Sequence, residues 1–257
     1  MYEDIKEQVA SATRVMAEMG LATGVTATLG HVSLRIPGEP GKFLVKGRGY
    51  AMDALATMRG EDMVLCDLEG YMLDGPPGTM PCMEVKIHSC IFKARPDVES
   101  VVHVHPRYSV LTTLLQLNLR PMCIEGTIGK GFMKEGNIPV YPHMANVNTD
   151  AEGTELAETL GNATAAMLEG HGAVTVGTSL QTSVITMMQL EEQARMNYLA
   201  YCAMGREYRS IPESSLIEDS AKGPLNELPH FVEVMKNVNQ NGIAVWPYYE
   251  KLAQLTN

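Results

Sequence analysis

Residues 2–19 place Ile5, Val9, Ala12, Val15, Met16 and Met19 at three- and four-residue steps, which predicts an amphipathic helix closed by Gly20. From Thr26 the period changes. Val32, Leu34 and Ile36 alternate with Ser33 and Arg35, as in a strand. The turn Pro37-Gly38-Glu39-Pro40-Gly41 and the run Phe43-Leu44-Val45 complete a predicted hairpin. Met63-Val64-Leu65-Cys66 predicts another strand. Gly75-Pro76-Pro77-Gly78 breaks the chain, and Val85, Ile87, His88, Ile91 and Phe92 predict a helix from about Cys82 to Ala94. Residues 98–105 read as a strand, 109–117 as a helix and 138–141 as a short extended piece. Residues 152–168 are predicted to be helical, Ala173-Val174-Thr175-Val176 a strand, and 180–209 a long helix. The sequence shows no repeat or linker. The pattern predicts one α/β domain over residues 1–210 with a mixed, mainly antiparallel sheet and flanking helices. A less regular tail, 211–257, is expected to pack on that domain or on a neighbouring subunit.

Composition narrows the partners. The 257 residues carry 30 acidic and 20 basic side chains, a formal charge of −10, which argues against binding nucleic acid through its phosphates. Hydrophobic residues reach 45%, enough for an ordinary core. No apolar run approaches the ~20 residues that span a bilayer. The acidic start Met1-Tyr2-Glu3-Asp4 does not resemble a signal peptide, so a cytoplasmic location is expected, with no membrane partner. The five cysteines form no CxxC pair and are expected to be reduced and mostly buried.

Candidate chemistry centres on Val101-Val102-His103-Val104-His105-Pro106. On a strand His103 and His105 point the same way, about 7 Å apart along the chain. They suit either one metal ion or a hydrogen-bonded pair. His171, between Gly170 and Gly172, is either a ligand on a tight turn or a surface histidine. Three neutral imidazoles with an open position suit a catalytic divalent metal. Glu84 and His88 are four apart, on one face of the predicted helix. Glu84 can ligate a metal, exchange a proton with a substrate, or simply complement the helix dipole.

Taken together, four blocks resemble the class II aldolase/adducin family: Gly30-His31-Val32-Ser33-Leu34-Arg35; Pro81-Cys82-Met83-Glu84 with His88; Arg95-Pro96-Asp97-Val98 running into the His103/His105 strand; and His171-Gly172. The resemblance covers roughly residues 5–205. It implies a single α/β/α domain on a nine-stranded sheet and a divalent metal (zinc, manganese or iron) on His103, His105 and His171. It makes Glu84 the acid/base, able also to approach the metal. It implies a homotetramer with active sites between subunits, and a site tyrosine for which Tyr141, Tyr248 and Tyr249 are candidates.

The departures from the sugar-phosphate aldolases bear on the substrate. Gly30-His31 stands where they have Gly-Asn, Val45-Lys46-Gly47-Arg48 where they have Thr-Pro-Ser-Gly, and Cys82-Met83 where they have two small hydroxyl residues. Lys46 and Arg48 either hold a carboxylate instead of a phosphate, or are solvated hairpin charges. His31 either donates to a hydroxyl or protonates a carbon, or is a satisfied strand-start histidine. These features resemble the decarboxylase-like branch, whose members act on hydroxylated aromatic or related carboxylates. The expected activity is therefore a metal-dependent carbon–carbon lyase acting on a small molecule through a stabilised enolate-like anion. The alternatives are a class II aldolase for a differently held substrate, a non-heme iron oxygenase on this scaffold, and a non-catalytic adducin-like interaction module. Gly126-Thr127-Ile128-Gly129-Lys130-Gly131 lacks the Walker spacing and is expected to be a mobile loop near the site.

Overall fold

The computed structural model describes residues 2–123, 138–222, 227–236 and 245–255; the 126–131 glycine stretch lies outside them. Strands β1 (Gly30–Ile36) and β2 (Glu39–Arg48) form the predicted hairpin, and β3 (Met63–Asp67) and β4 (Met72–Asp74) extend it. On the other side of β1 come β6 (Ser100–Val104), β9 (Gly172–Gly177), β8 (Ala165–Leu168) and β7 (Val140–Tyr141). β5 (Met80–Pro81) pairs with the end of β2, which completes a nine-stranded sheet. Only the β7–β8 pair is parallel among the described residues.

Each face of the sheet is covered by helices. Helix α1 (Glu3–Glu18) and the long α5 (Leu180–Met204) cover one side. There Val9, Val15 and Met16 of α1 and Val184, Met187 and Leu190 of α5 meet Val32, Leu44, Val102 and Val104. Helices α2 (Val85–Ala94) and α4 (Asp150–Leu160) pack on each other and cover the opposite face. Ile87, Ile91, Leu156 and Leu160 there meet Phe43, Val45, Val101 and Val174. Each such side chain contributes about 1.5–3 kcal/mol by leaving water. The period-two alternation of β1 and β6 is what feeds both cores at once: Val32, Val102 and Val104 face α1 and α5, while Ser33, Val101 and His103 face the other way. Helix α3 (Arg107–Leu114) follows the His103/His105 strand and packs on α5.

Several boundaries differ from the sequence reading: the helix predicted over 109–117 spans Arg107–Leu114, the one predicted over 180–209 ends at Met204, and two further differences change the architecture. The predicted 152–168 helix ends at Leu160, and the chain re-enters the sheet as β8. Gly161, at φ 51°, and Asn162 interrupt the run, which hydrophobic periodicity alone does not register. The predicted Cys82 start moves to Val85, so Glu84 is the N-cap residue and not a residue of the first turn. In the tail, the helix Trp246–Leu252 sits on α1: Trp246 and Ala253 join the α1 core, and the buried Arg14 Nε donates to the Ala253 carbonyl at 2.9 Å.

Helices α2 and α4 cross at Gly153, where an added Cβ would lie 2.6 Å from Cys90 Sγ and 2.8 Å from the Lys86 carbonyl oxygen. Gly153→Ala is expected to lower stability by about 2 kcal/mol in urea unfolding, because overpacking against backbone outweighs the ~1 kcal/mol helix gain. An unchanged midpoint would show that the two helices can move apart freely.

Candidate metal centre and active site

The site is built at one end of the β1–β6–β9 strands. Across β1 and β6, His31 faces His103; across β6 and β9, His103 faces Val174. His105 lies just past the end of β6, its Nε2 3.1 Å from His103 Nε2. His171 arrives from the β8–β9 turn. Gly170 takes φ 63° there, and Gly172 lets β9 approach β6 so closely that a Cβ would meet the Val104 carbonyl oxygen at 2.5 Å. The two glycines flanking His171 thus do different work: one turns the chain and the other removes bulk.

Glu84 comes from the opposite layer. It makes no side-chain cap bond to α2. Its carboxylate turns into the sheet: Oε1 accepts from the Val147 backbone N–H at 3.0 Å and lies 3.4 Å from His171 Nε2, and Oε2 lies 3.4 Å from His103 Nε2 and 3.9 Å from His31 Nε2. The ligand atoms of Glu84, His103, His105 and His171 all lie within 4.8 Å of one another. The metal-ligand candidates therefore converge, together with Glu84.

The donor chemistry fits a cation. Three imidazole nitrogens are buried without a hydrogen-bond partner; one of them, His171 Nε2, lies 3.4 Å from Glu84 in the cluster, while His171 Nδ1 and His103 Nδ1 are on the ring edges that a cation bound at Nε2 does not reach. Such orphans cost about 1–3 kcal/mol each unless something else engages them. Three of the donor separations, at 3.1–3.4 Å, are close to the roughly 3.3 Å edge of a tetrahedron with metal–nitrogen bonds of ~2.0–2.1 Å. Burial, with His103 and His171 alongside, pushes the His105 imidazole down to about 3, so its lone pair is free at neutral pH. Burial alone would raise the Glu84 carboxyl. The neighbouring His103, with His171 and His31 beside it, outweighs burial and lowers the group below the ordinary carboxylate range. A carboxylate lowered in this way and the His105 lone pair are in the protonation states that ligation of a divalent cation requires.

The remaining candidates divide. His31 is buried beside Glu84 and His103, and burial pushes it down to about 4. Lys46 is 1% exposed, not a solvated hairpin charge. Its Nζ pairs with Asp53 and donates to the Gly47 carbonyl oxygen, and burial lowers it despite Asp53. Arg48 Nε bonds the other Asp53 oxygen at 3.1 Å, with its side chain 25% exposed. Tyr141 is buried in the α2–α4 layer, edge-on to His143, with Glu155 and Glu152 as its charged neighbours; none of these belongs to the donor cluster. Tyr249 packs on the α1 core, and Tyr248 is exposed. A groove of about 410 Å³ between Leu34, Arg35, Glu99 and Gln181 lies at the far end of β1 and holds none of the clustered donors.

Sequence reasoning missed several parts. Asp53 ties Lys46 to Arg48, and the Val147 N–H orients Glu84. Glu191 accepts from Tyr108 N, Ser109 N and Ser109 Oγ, all at 2.9 Å, and fixes the start of α3 just after His105. Spacing puts His88 on one helix face with Glu84, but its ring bonds His31 and Ser33 instead. The alternation of His31 and Ser33 along β1 was the available signal for that contact.

Comparison with known proteins gives the family of the chain. Residues 7–198 match the family described as Class II Aldolase and Adducin N-terminal domain. A 3,4-dihydroxyphthalate decarboxylase of Terrabacter sp. (strain DBF63) is 33% identical over 227 residues, covering 87% of this chain and 92% of the relative. A 3-oxo-tetronate 4-phosphate decarboxylase of Escherichia coli (strain K12) is 27% identical, covering 77% of this chain and 87% of the relative. Among solved structures, an L-fuculose 1-phosphate aldolase from Glaciozyma antarctica PI12 aligns with a TM-score of 0.69 at 25% identity, covering 86% of this chain and 81% of that one. The chain belongs to the class II aldolase and adducin N-terminal domain family, as an enzyme of its aldolase–decarboxylase type.

Proposed function

We propose that the chain is a divalent-metal-dependent carbon–carbon lyase that decarboxylates a hydroxylated aromatic or related carboxylate. The observation that carries this is the convergence of the donor atoms of Glu84, His103, His105 and His171 within 4.8 Å, with His171 Nε2 buried there without a hydrogen-bond partner. The 3,4-dihydroxyphthalate decarboxylase relatives support the substrate class. His103, His105 and His171 would hold zinc, manganese or iron, with Glu84 beside them. When bound, the cation supplies Lewis-acid stabilisation of the oxyanion that develops next to the departing carboxylate.

The chain's own groups do the rest. Glu84, oriented by the Val147 N–H, takes the proton of a substrate hydroxyl. The carbon–carbon bond breaks with its electron pair left on the ring carbon, and Glu84 returns its proton to that carbon as carbon dioxide leaves. His31 faces the reacting atoms from the strand side. Lys46 and Arg48 share the single carboxylate of Asp53, which leaves an excess positive charge, and Arg48, the more open of the two, binds a substrate carboxylate with its planar fork. Retro-aldol cleavage of a small hydroxy-carbonyl substrate needs the same charge stabilisation and is the second reading, supported by the aldolase-like fold. Carbon dioxide release from a panel of hydroxyaryl carboxylates by protein of known metal content tests the first reading; aldehyde formation without gas would replace it with the second. Among the described residues no helix is long and apolar enough to cross a membrane. The five free thiols, three of them buried, fit a reducing cytoplasm. Exposed Tyr71, Met72 and Leu73 along the β4 edge fit burial in a homotetramer, which light scattering would show.

A further inference from the structure

Behind the donor cluster lies a second set of buried polar side chains. His88, from α2, bridges two residues of β1: its Nε2 is 2.6 Å from His31 Nδ1, and its Nδ1 is 2.6 Å from Ser33 Oγ. Ser33 and His88 are fully buried and His31 is 5% exposed. The chain Ser33–His88–His31 ends at His31 Nε2, 3.9 Å from Glu84 Oε2.

With each ring neutral and carrying one proton, this chain has two arrangements. In one, Ser33 donates to His88 Nδ1, His88 Nε2–H donates to His31 Nδ1, and His31 keeps its proton on Nε2. In the other, every donor reverses. Ser33 accepts from His88 and gives its proton to the Val101 carbonyl oxygen, and His31 Nε2 is bare. The second requires the serine to use an acceptor 3.4 Å away and aims a lone pair at the Glu84 carboxylate. Both keep the 2.6 Å contacts, but the first spends the serine proton on one of them instead of on the 3.4 Å acceptor, and it aims an N–H at a group that, when ionised, only accepts. Both differences favour the first.

We propose that Ser33 and His88 are positioning residues that hold His31 as its Nε2–H tautomer, which makes His31 a hydrogen-bond donor to the oxyanion of the reaction and leaves proton carriage to Glu84. The tautomer rests on the hydrogen-bond chain; the identity of the oxyanion rests on the decarboxylation reading above. A neutral imidazole that released its Nε2 proton would become a buried imidazolate, resupplied only through a serine hydroxyl. Donating a hydrogen bond creates no such ion, and a neutral imidazole serves well as an electrophile in this way.

Solid-state 15N spectra of histidine-labelled, zinc-loaded protein read the tautomer directly, with the His31 signals assigned by their loss in His31→Asn. The expected result is a pyrrole-type Nε2 and a pyridine-type Nδ1. A pyridine-type Nε2, or two pyrrole-type nitrogens, overturns the proposal whatever the substrate is. His88→Gln keeps a donor toward His31 and an acceptor toward Ser33, so kcat is expected to stay within about tenfold; His88→Leu removes both and is expected to lower kcat about 100-fold or more with KM little changed. Equal losses in the two variants overturn the positioning role. If the leucine variant does not fold, the native spectrum and the glutamine variant decide. A native Nε2–H tautomer in a protein that releases no carbon dioxide would sustain the chain and sink only the decarboxylation reading.

Discussion

Replacing His103 with alanine is expected to remove metal and turnover together. His103 is fully buried, sits between His105 and Glu84, and faces His31 across the sheet. Losing a partner one step removed from a metal costs about 10–100-fold in affinity, so losing a ligand is expected to cost more than 100-fold. Elemental analysis of purified His103→Ala should find the protein largely metal-free, with activity reduced in proportion. His171→Ala is expected to behave in the same way, since neither of its ring nitrogens has a hydrogen bond to lose. A His103→Ala protein with full metal content and normal turnover would leave the proposed centre without a basis.

The second large effect is expected at Glu84. Glu84→Gln preserves volume and keeps an oxygen to accept the Val147 N–H, so the fold and the β7–α4 connection should survive. It removes the ionised oxygen beside His103 and His31. With three imidazoles intact the protein should still load metal, yet kcat should fall about 10²–10⁴-fold, the usual range for a lost acid/base group. Metal content, melting temperature and kcat measured on one preparation separate these effects. A kcat within about threefold of the parent would transfer proton carriage to another group.

The parts of this molecule legible in its sequence are those set by local periodicity. The β1–β2 hairpin, the His103 strand and the two helices facing the α1 core follow from period-two and period-3.6 patterns. The glycines around His171 predicted a tight turn, and Gly170 makes one. One local pattern misleads: the 3.6 period runs on through Gly161-Asn162 because the residues beyond are apolar enough to continue a helix, while the chain leaves α4 at Leu160. The contacts that sequence does not disclose follow no period. Glu84 and His88 do share a helix region, but they serve different partners because the N-cap backbone redirects Glu84 toward His103. Asp53 reaches Lys46 and Arg48 across the loop that follows β2, a meeting that no sequence period encodes.

The facing of His31 and His103 across β1 and β6 has a consequence for how this protein can change. Inserting a single residue in either strand would turn His31 and Ser33, or His103, toward α1 and α5 and push valines into the ionic pocket. Reactive centre and apolar interior therefore move on one shared ratchet, and viable length changes are confined to the turns between strands or to steps of two. Deep insertion scanning of residues 30–36 and 100–104 should show that parity directly, with singles lost and pairs occasionally tolerated.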